Sequence, residues 1–396
     1  MKKLDNVKVG IIGLGLVSDA HIKGFQSHPK AEVVAVAARN EKPLQAAAKK
    51  YNIPKYYTSY EDLLKDPAID AVAIITPTFL HKDMAIAAAR AGKHIMCEKP
   101  FCMNLEECEA VCNEADKQGV TLMIGESYIF MSSIIKAREL IDAGEIGKPQ
   151  QIRQRFGEWV EREDVMDDRE SSASHGWRED SKKAGGEGFP WMFDHCVHFF
   201  AAAEYLMNDS KINEIHALKT DLSWMKDQKI DTKMDLYGVN EAGDIPIITW
   251  TYEDPACSGV WMRAEVLNGK YDPMTGFSVI VSGDKGMIEF LGEGGGGLQH
   301  DGESVHMVLH RHDGTSETFR FNDGPDDIWV SEVSYYAKAH TNQNHAFVDS
   351  LVNGVKPPYT GVDGTWAIKA TMAAICSAKE GVPVKVNEVT DERYMK

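Results

Sequence analysis

The chain has 396 residues, is 43% hydrophobic and 26% charged, and sets 60 acidic against 43 basic side chains for a formal net charge of −17. That length accommodates two domains with separate cores, and an acid excess unrelieved by any basic tract argues against nucleic acid or an anionic membrane surface as partner. No run reaches the length of about 20 apolar residues that a membrane span needs.

The first residues lead directly into a strand-like run with no secretory apolar region, and the seven cysteines are odd in number and form no Cys-x-x-Cys pair. A disulfide framework is therefore not expected, and a reducing cytoplasm is the expected compartment. Cys108 and Cys112 share a helix face and read as core packing; no metal site is expected.

Residues 7–12 read as a buried strand and 18–26 as the helix after it. A second strand is expected over 33–38, a helix over 44–51, and a short helix capped by Ser59 with Asp62 at its third position. Strand 71–75, helix 80–91 stopped by Gly92, strand 94–97, a helix from the Asn104 cap to Lys117, and strand 120–124 complete the first part. Alternation of this kind is the signature of a parallel sheet covered by helices. A connecting region follows over 125–149.

The polar segment 161–188 is long for a loop in a compact domain, which points to a border of the active site. Residues 190–207 then read as a helix with proline in its first turn. Strands are expected over 250–252, 259–266, 277–282, 287–291, 305–310 and 315–321, separated by turn signals such as Asp313-Gly314, and long helices over 332–353 and 365–379. His306, His310 and His312 share strand parity with no acid nearby, and read as a packed or interface face.

Gly13-Leu14-Gly15-Leu16-Val17-Ser18 lies between the first strand and the first helix. Glycines there permit a tight turn and close approach to a pyrophosphate, which the helix N-terminus favours, and Ser18 is small enough for helix–strand contact. At the end of the second strand stands Ala38-Arg39-Asn40, with no carboxylate for a ribose hydroxyl. Arg39 can pair with a 2′-phosphate, so the cofactor is NAD(P), with NADP favoured over NAD.

Thr76-Pro77-Thr78-Phe79-Leu80-His81, Ala91 through Cys97 leading into Glu98-Lys99-Pro100, Gly185-Gly186 followed by Asp194-His195-Cys196-Val197-His198, and the late Tyr359-Thr360-Gly361 stretch resemble the glucose-fructose oxidoreductase/inositol dehydrogenase/MocA family. The resemblance spans nearly the whole chain in order. It implies an α/β fold: an N-terminal Rossmann domain with a doubly wound parallel sheet, residues 1–125, and a C-terminal α+β domain with a large, mostly antiparallel open sheet, residues 126–396. It further implies NAD(P)-dependent oxidation or reduction of sugars, polyols or related carbonyls, and a homodimer or homotetramer built through the open sheet. Thr76, Pro77, His81 and Glu98 are then expected beside the cofactor.

The residues make chemical sense in those roles. Lys99 follows a parallel strand, at the edge where such sheets bind ligands, and a lysine partly desolvated beside a positively charged nicotinamide can exchange a proton near neutrality. Asp194 and His198 lie four apart and share a helix face from which His195 is rotated away. His198 can take a substrate hydroxyl proton, and Asp194 can orient the substrate or balance charge beside Lys99 and His198. Trp177-Arg178 resembles the family's Trp-Arg step near the active site, which implies contacts with cofactor and substrate; Trp177 offers an apolar platform and Arg178 a donor fork. Glu126 and Tyr128, after the last parallel strand, are expected to face the cleft as substrate contacts. With no cluster of basic residues in these motifs, a neutral carbohydrate is the expected substrate. Two other readings stay open: redox-neutral glycoside processing with tightly held NAD, and a non-catalytic cofactor-binding regulator.

Overall fold

The computed structural model describes residues 3–156, 177, 180–220, 244–263, 278–291, 298–300, 303–305, 307–321 and 334–396. In chain order the first elements are β1 (Val7–Ile12), α1 (Ser18–Gln26), β2 (Ala31–Ala37), α2 (Glu41–Lys50), β3 (Lys55–Tyr57), α3 (Tyr60–Leu64), β4 (Ala71–Ile74), α4 (His81–Arg90), β5 (His94–Glu98), α5 (Leu105–Gln118) and β6 (Leu122–Gly125). There follow α6 (Ser132–Asp142), β7 (Pro149–Phe156), α7 (Ser181–Ala184), α8 (Pro190–Leu206), β8 (Ile212–Thr220), β9 (Asp244–Tyr252), β10 (Ser258–Arg263), β11 (Ser278–Gly283) and β12 (Gly286–Leu291). The remainder comprises β13 (Leu298–His300), β14 (Glu303–Val305), β15 (Met307–Arg311), β16 (Ser316–Phe319), α9 (Ser334–Asn353), α10 (Gly361–Glu380), β17 (Val384–Lys385) and α11 (Asp391–Tyr394).

The chain divides into two units, Met1–Phe130 with Asp323–Ile368, and Met131–Asn322 with Lys369–Lys396.

In the first unit, six parallel strands run in the order β3-β2-β1-β4-β5-β6, so the order reverses between β1 and β4. This is the doubly wound arrangement, in which ligands bind at the carboxyl ends of the strands beside the switch point. Strands β1, β4 and β6 are short and almost wholly buried, because helices cover both faces and leave no solvent side to make polar. The caps fall where the sequence put them. Ser59 accepts from Asp62 N–H and Asn104 from Glu107 N–H, although Glu107 reaches back to Met103 N–H instead of to the cap residue. The edge strand β3 has no counterpart in the sequence reading, since three residues carry too little alternation to register.

In the second unit, nine strands run β16-β15-β12-β11-β7-β10-β9-β8-β17, antiparallel except for the β7–β10 pair. Ile215, Ile248, Trp250, Ile152, Trp261, Val281, Ile288, Phe290 and Leu309 form the buried face. Helix α8 is held against it: Phe199 stacks on Trp261 with centroids 5.5 Å apart, and Phe200 meets Trp250 edge-on at 5.6 Å. Strands β7, β8 and β17 were not anticipated. The outward row of β7 is Gln151, Arg153 and Arg155, so only the inward positions carry a strand signal.

The strand expected over 305–310 is two elements: β14 pairs with β13 in a separate hairpin, and β15 belongs to the large sheet. The expected three-histidine face changes with it. His306 lies outside the described residues, His312 lies beyond the end of β15, and His310 Nε2 is 3.7 Å from the Glu289 carboxylate, an acid the sequence did not reveal. All seven cysteines are free. Among the described residues, no helix is long and apolar enough to cross a membrane.

Candidate active site

The carboxyl edge of the first sheet carries most of the expected cofactor residues. Gly13 ends β1 with φ of 102°, and a Cβ there would stand 2.3 Å from the carbonyl oxygen of Ile75, the residue that follows β4. Only glycine allows this crossing at the switch point. Leu14 and Val17 are half-buried, Gly15 is exposed, and the buried Ser18 opens α1. No side chain caps that helix, so the loop and the first-turn N–H groups fit a dinucleotide pyrophosphate. Beyond β2, Ala38 N–H donates to Tyr57 O, and Arg39 is exposed with no carboxylate at the strand end.

Thr76 and Pro77 lie half-buried after β4. His81 is wholly buried, its Nε2 2.8 Å from Thr76 O and its Nδ1 2.9 Å from Pro100 O and 3.2 Å from Phe101 O. Burial pushes its pKa down against the pull of these carbonyls. His81 therefore ties the loop after β4 to the segment after β5, and its ring faces backbone on both sides.

Lys99 leaves the end of β5 half-buried, joined to Pro100 by a cis peptide bond. The Glu98 carboxylate turns inward. Its Oε1 is 2.8 Å from His21 Nε2 and 3.4 Å from Gln343 Nε2, and its Oε2 accepts from Lys99 N–H at 3.2 Å. Burial pushes the Glu98 carboxyl up, but the hydrogen bond from His21 and the charges of His21, His340 and Lys99 outweigh it and hold the group down at about 2. With the folded value below the ordinary 4.5, this carboxylate's contribution to stability is present above that pH and is lost as the pH falls toward 2. Glu126 and Tyr128, expected to face the cleft, are both buried, and Glu126 Oε1 accepts from Tyr128 N–H.

In the second unit, α8 begins with Pro190 in its first turn. Asp194 and His198 are both buried on it, while His195 is partly exposed, with Nδ1 3.5 Å from Asp194 Oδ2. The aromatic contacts of Phe199 and Phe200 fix the rotation of this helix and so the direction of His198. Trp177 is half-buried; Arg178 and most of the polar segment before it lie outside the described residues.

The turn entering α8 is fastened by the end of the chain. Gly186 N–H donates to the Tyr394 hydroxyl at 2.7 Å, and the Tyr394 ring stacks on Phe193. Tyr394→Phe keeps the ring and orphans the N–H, which should cost about 1–3 kcal/mol. The expected result is a lower denaturant midpoint for the second unit, and an unchanged midpoint would contradict this role.

Sequence reasoning missed His21, His340, Gln343, Asn344 and Tyr394. For the α9 residues a signal existed: positions 340, 343 and 344 have the i, i+3, i+4 spacing of one helix face. Nothing in the sequence showed which helix they meet.

Comparison with known proteins agrees with this architecture. Residues 7–126 match the family described as an oxidoreductase family with NAD-binding Rossmann fold, and residues 138–386 match its C-terminal alpha/beta domain. The scyllo-inositol 2-dehydrogenase (NAD(+)) of Bacillus subtilis is 27% identical over 384 residues, covering 96% of each chain. The D-xylose 1-dehydrogenase (NADP(+)) 2 of Haloferax volcanii is 29% identical over 271 residues, 68% of this chain and 76% of that one. A levoglucosan dehydrogenase solved with NADH and levoglucosan superposes with a TM-score of 0.73 at 19% identity, over 97% of this chain and 100% of that chain. With both domain profiles matched in order over most of its length, the chain belongs to the glucose-fructose oxidoreductase/inositol dehydrogenase/MocA oxidoreductase family.

Proposed function

We propose that the protein catalyses reversible NAD(P)-dependent hydride transfer at a CH–OH or carbonyl carbon of a sugar, glycoside or cyclic polyol. The observation that carries this reading is Lys99 at the carboxyl end of β5, in the same sheet whose switch point holds the Gly13–Ser18 loop. Relatives named for an inositol and for xylose support the substrate class.

In the oxidative direction, His198 takes the substrate hydroxyl proton and Asp194 orients the substrate beside it. Lys99 balances charge at the reacting oxygen and relays this same proton, so that one proton and one hydride leave the substrate. A nicotinamide dinucleotide held at the Gly13–Ser18 loop would supply the acceptor or donor of the hydride. Gly13, Leu14, Gly15, Val17 and Ser18 hold the pyrophosphate. Arg39 supports NADP over NAD, and Trp177 and Arg178 are read as contacts for the sugar face.

The protein is further read as a cytoplasmic homo-oligomer assembled through the open sheet. Leu218 and Met262, 46% and 42% exposed, both pair with Ile247 and so form one apolar row on that face.

The test is a screen of polyols, hexoses and glycosides with NAD and with NADP, read at the reduced-nicotinamide absorbance. Net reduction with a member of these classes, and tighter binding of NADP, are expected. No reduction with any of them overturns the reading, and tighter NAD binding overturns the cofactor preference alone.

A further inference from the structure

The interior of the first unit holds a polar cluster that the hydride-transfer chemistry does not use. His21 projects from α1, Glu98 ends β5, and α9 contributes His340, Gln343 and Asn344; all five are buried. His21 Nε2 meets Glu98 Oε1 at 2.8 Å, and His21 Nδ1 meets Asn344 Oδ1 at 3.0 Å. The Asn344 amide cannot be turned around without loss, because its Nδ2 donates to the His21 carbonyl at 3.0 Å. Both ring nitrogens of His21 thus face acceptors. The His21–Glu98 pair meets both contacts only when it holds two protons between its members, which leaves it neutral overall.

Space for the pair is built into the backbone. A Cβ on Gly125 would stand 2.7 Å from Glu98 Oε1 and 3.0 Å from Gln343 Nε2. The His340 ring closes the cluster edge-on to His21, with centroids 4.9 Å apart. His21, Glu98 and His340 place three ligand atoms within 4.8 Å of one another, a spacing a metal could use. Both His21 nitrogens are already engaged, however, so a hydrogen-bonded network accounts for the arrangement better than an ion.

Helix α1 opens at the glycine loop, and three residues into it His21 grips the carboxylate whose other oxygen accepts from Lys99 N–H. We propose that Glu98, His21 and Asn344 are positioning residues for Lys99, fixing the lysine's backbone to the helix that holds the dinucleotide. This rests on the reading of Lys99 as the proton-exchanging residue. Buried ion pairs add little stability over apolar residues of similar size, but they fix geometry, and a displacement of about 1 Å at a reacting group can cost about 100-fold in rate.

That contrast supplies the test. His21→Leu and Glu98→Leu each strand a buried partner and should lower Tm. The double variant should recover most of the lost Tm, while its kcat stays at least about tenfold down with KM and dinucleotide Kd changed by less than about threefold. Recovery of kcat along with Tm overturns the proposal, because a merely structural pair would behave that way. Glu98→Gln, which keeps the volume and one acceptor, covers the case of a double variant that fails to fold; a tenfold loss of kcat supports the proposal and a wild-type kcat overturns it. Lys99→Ala is measured alongside. If it turns over normally, the reading of Lys99 falls and takes the proposal with it. If it is inactive while the double variant is fully active, the proposal alone fails.

Discussion

Lys99→Ala is expected to lower kcat by at least about 100-fold while dinucleotide Kd stays within about threefold of wild type. The size follows from what the lysine does: a positioned group that moves a proton in the transition state contributes about 10²- to 10⁴-fold. The selectivity follows from where it sits. Its backbone N–H bonds to Glu98, so alanine keeps that hydrogen bond and removes only the lysine's charge near the carboxylate. The side chain is half-buried at a strand end, and its removal opens no core cavity. His198→Ala should match the kcat loss but also lower Tm, because His198 is buried in α8. Turnover near wild type in both variants, measured with saturating cofactor, would remove the role assignments.

Gly13→Ala should weaken dinucleotide binding by at least about 100-fold, about 3 kcal/mol. Two separate penalties act on one methyl group. A φ of 102° is a backbone conformation that alanine rarely adopts, and the new Cβ would meet the Ile75 carbonyl oxygen at 2.3 Å. That oxygen is backbone and cannot swing aside as a flexible side-chain tip would. Relief requires moving the loop away from β4, and with it the N–H groups offered to the pyrophosphate. Titration by the quenching of protein fluorescence or by calorimetry reads the change. Affinity within threefold of wild type would show that the loop does not carry the cofactor.

Much of this site is legible in the sequence, and the reasons are local. The β1–loop–α1 unit is marked by a run that is apolar but for Lys8 and by the glycine after it, and α8 by a proline; both elements lie where the residues predict them. Parts of the second sheet are less legible. In β7 and β8, polar residues such as Arg153 and His216 occupy the outward rows, leaving a weak alternation that reads as loop. Least legible are the contacts that close over long separations. His21 and Asn344 lie 323 positions apart, and Gly186 and Tyr394 lie 208 apart. A histidine on an amphipathic helix carries no mark of the partner it will meet. The inward turn of Glu98 was equally hidden, since the motif fixes the neighbour of Lys99 but not the direction of its side chain.

The central claim is that this chain moves a hydride between a carbohydrate carbon and a nicotinamide ring. It is tested most directly by giving the protein NAD(P) and carbon-deuterated polyols and aldoses, then weighing the reduced cofactor by mass spectrometry. The account predicts reduced cofactor heavier by one deuterium, absent with Lys99→Ala over the same interval. Reduced cofactor without the label, or none with any of these substrates, would contradict it.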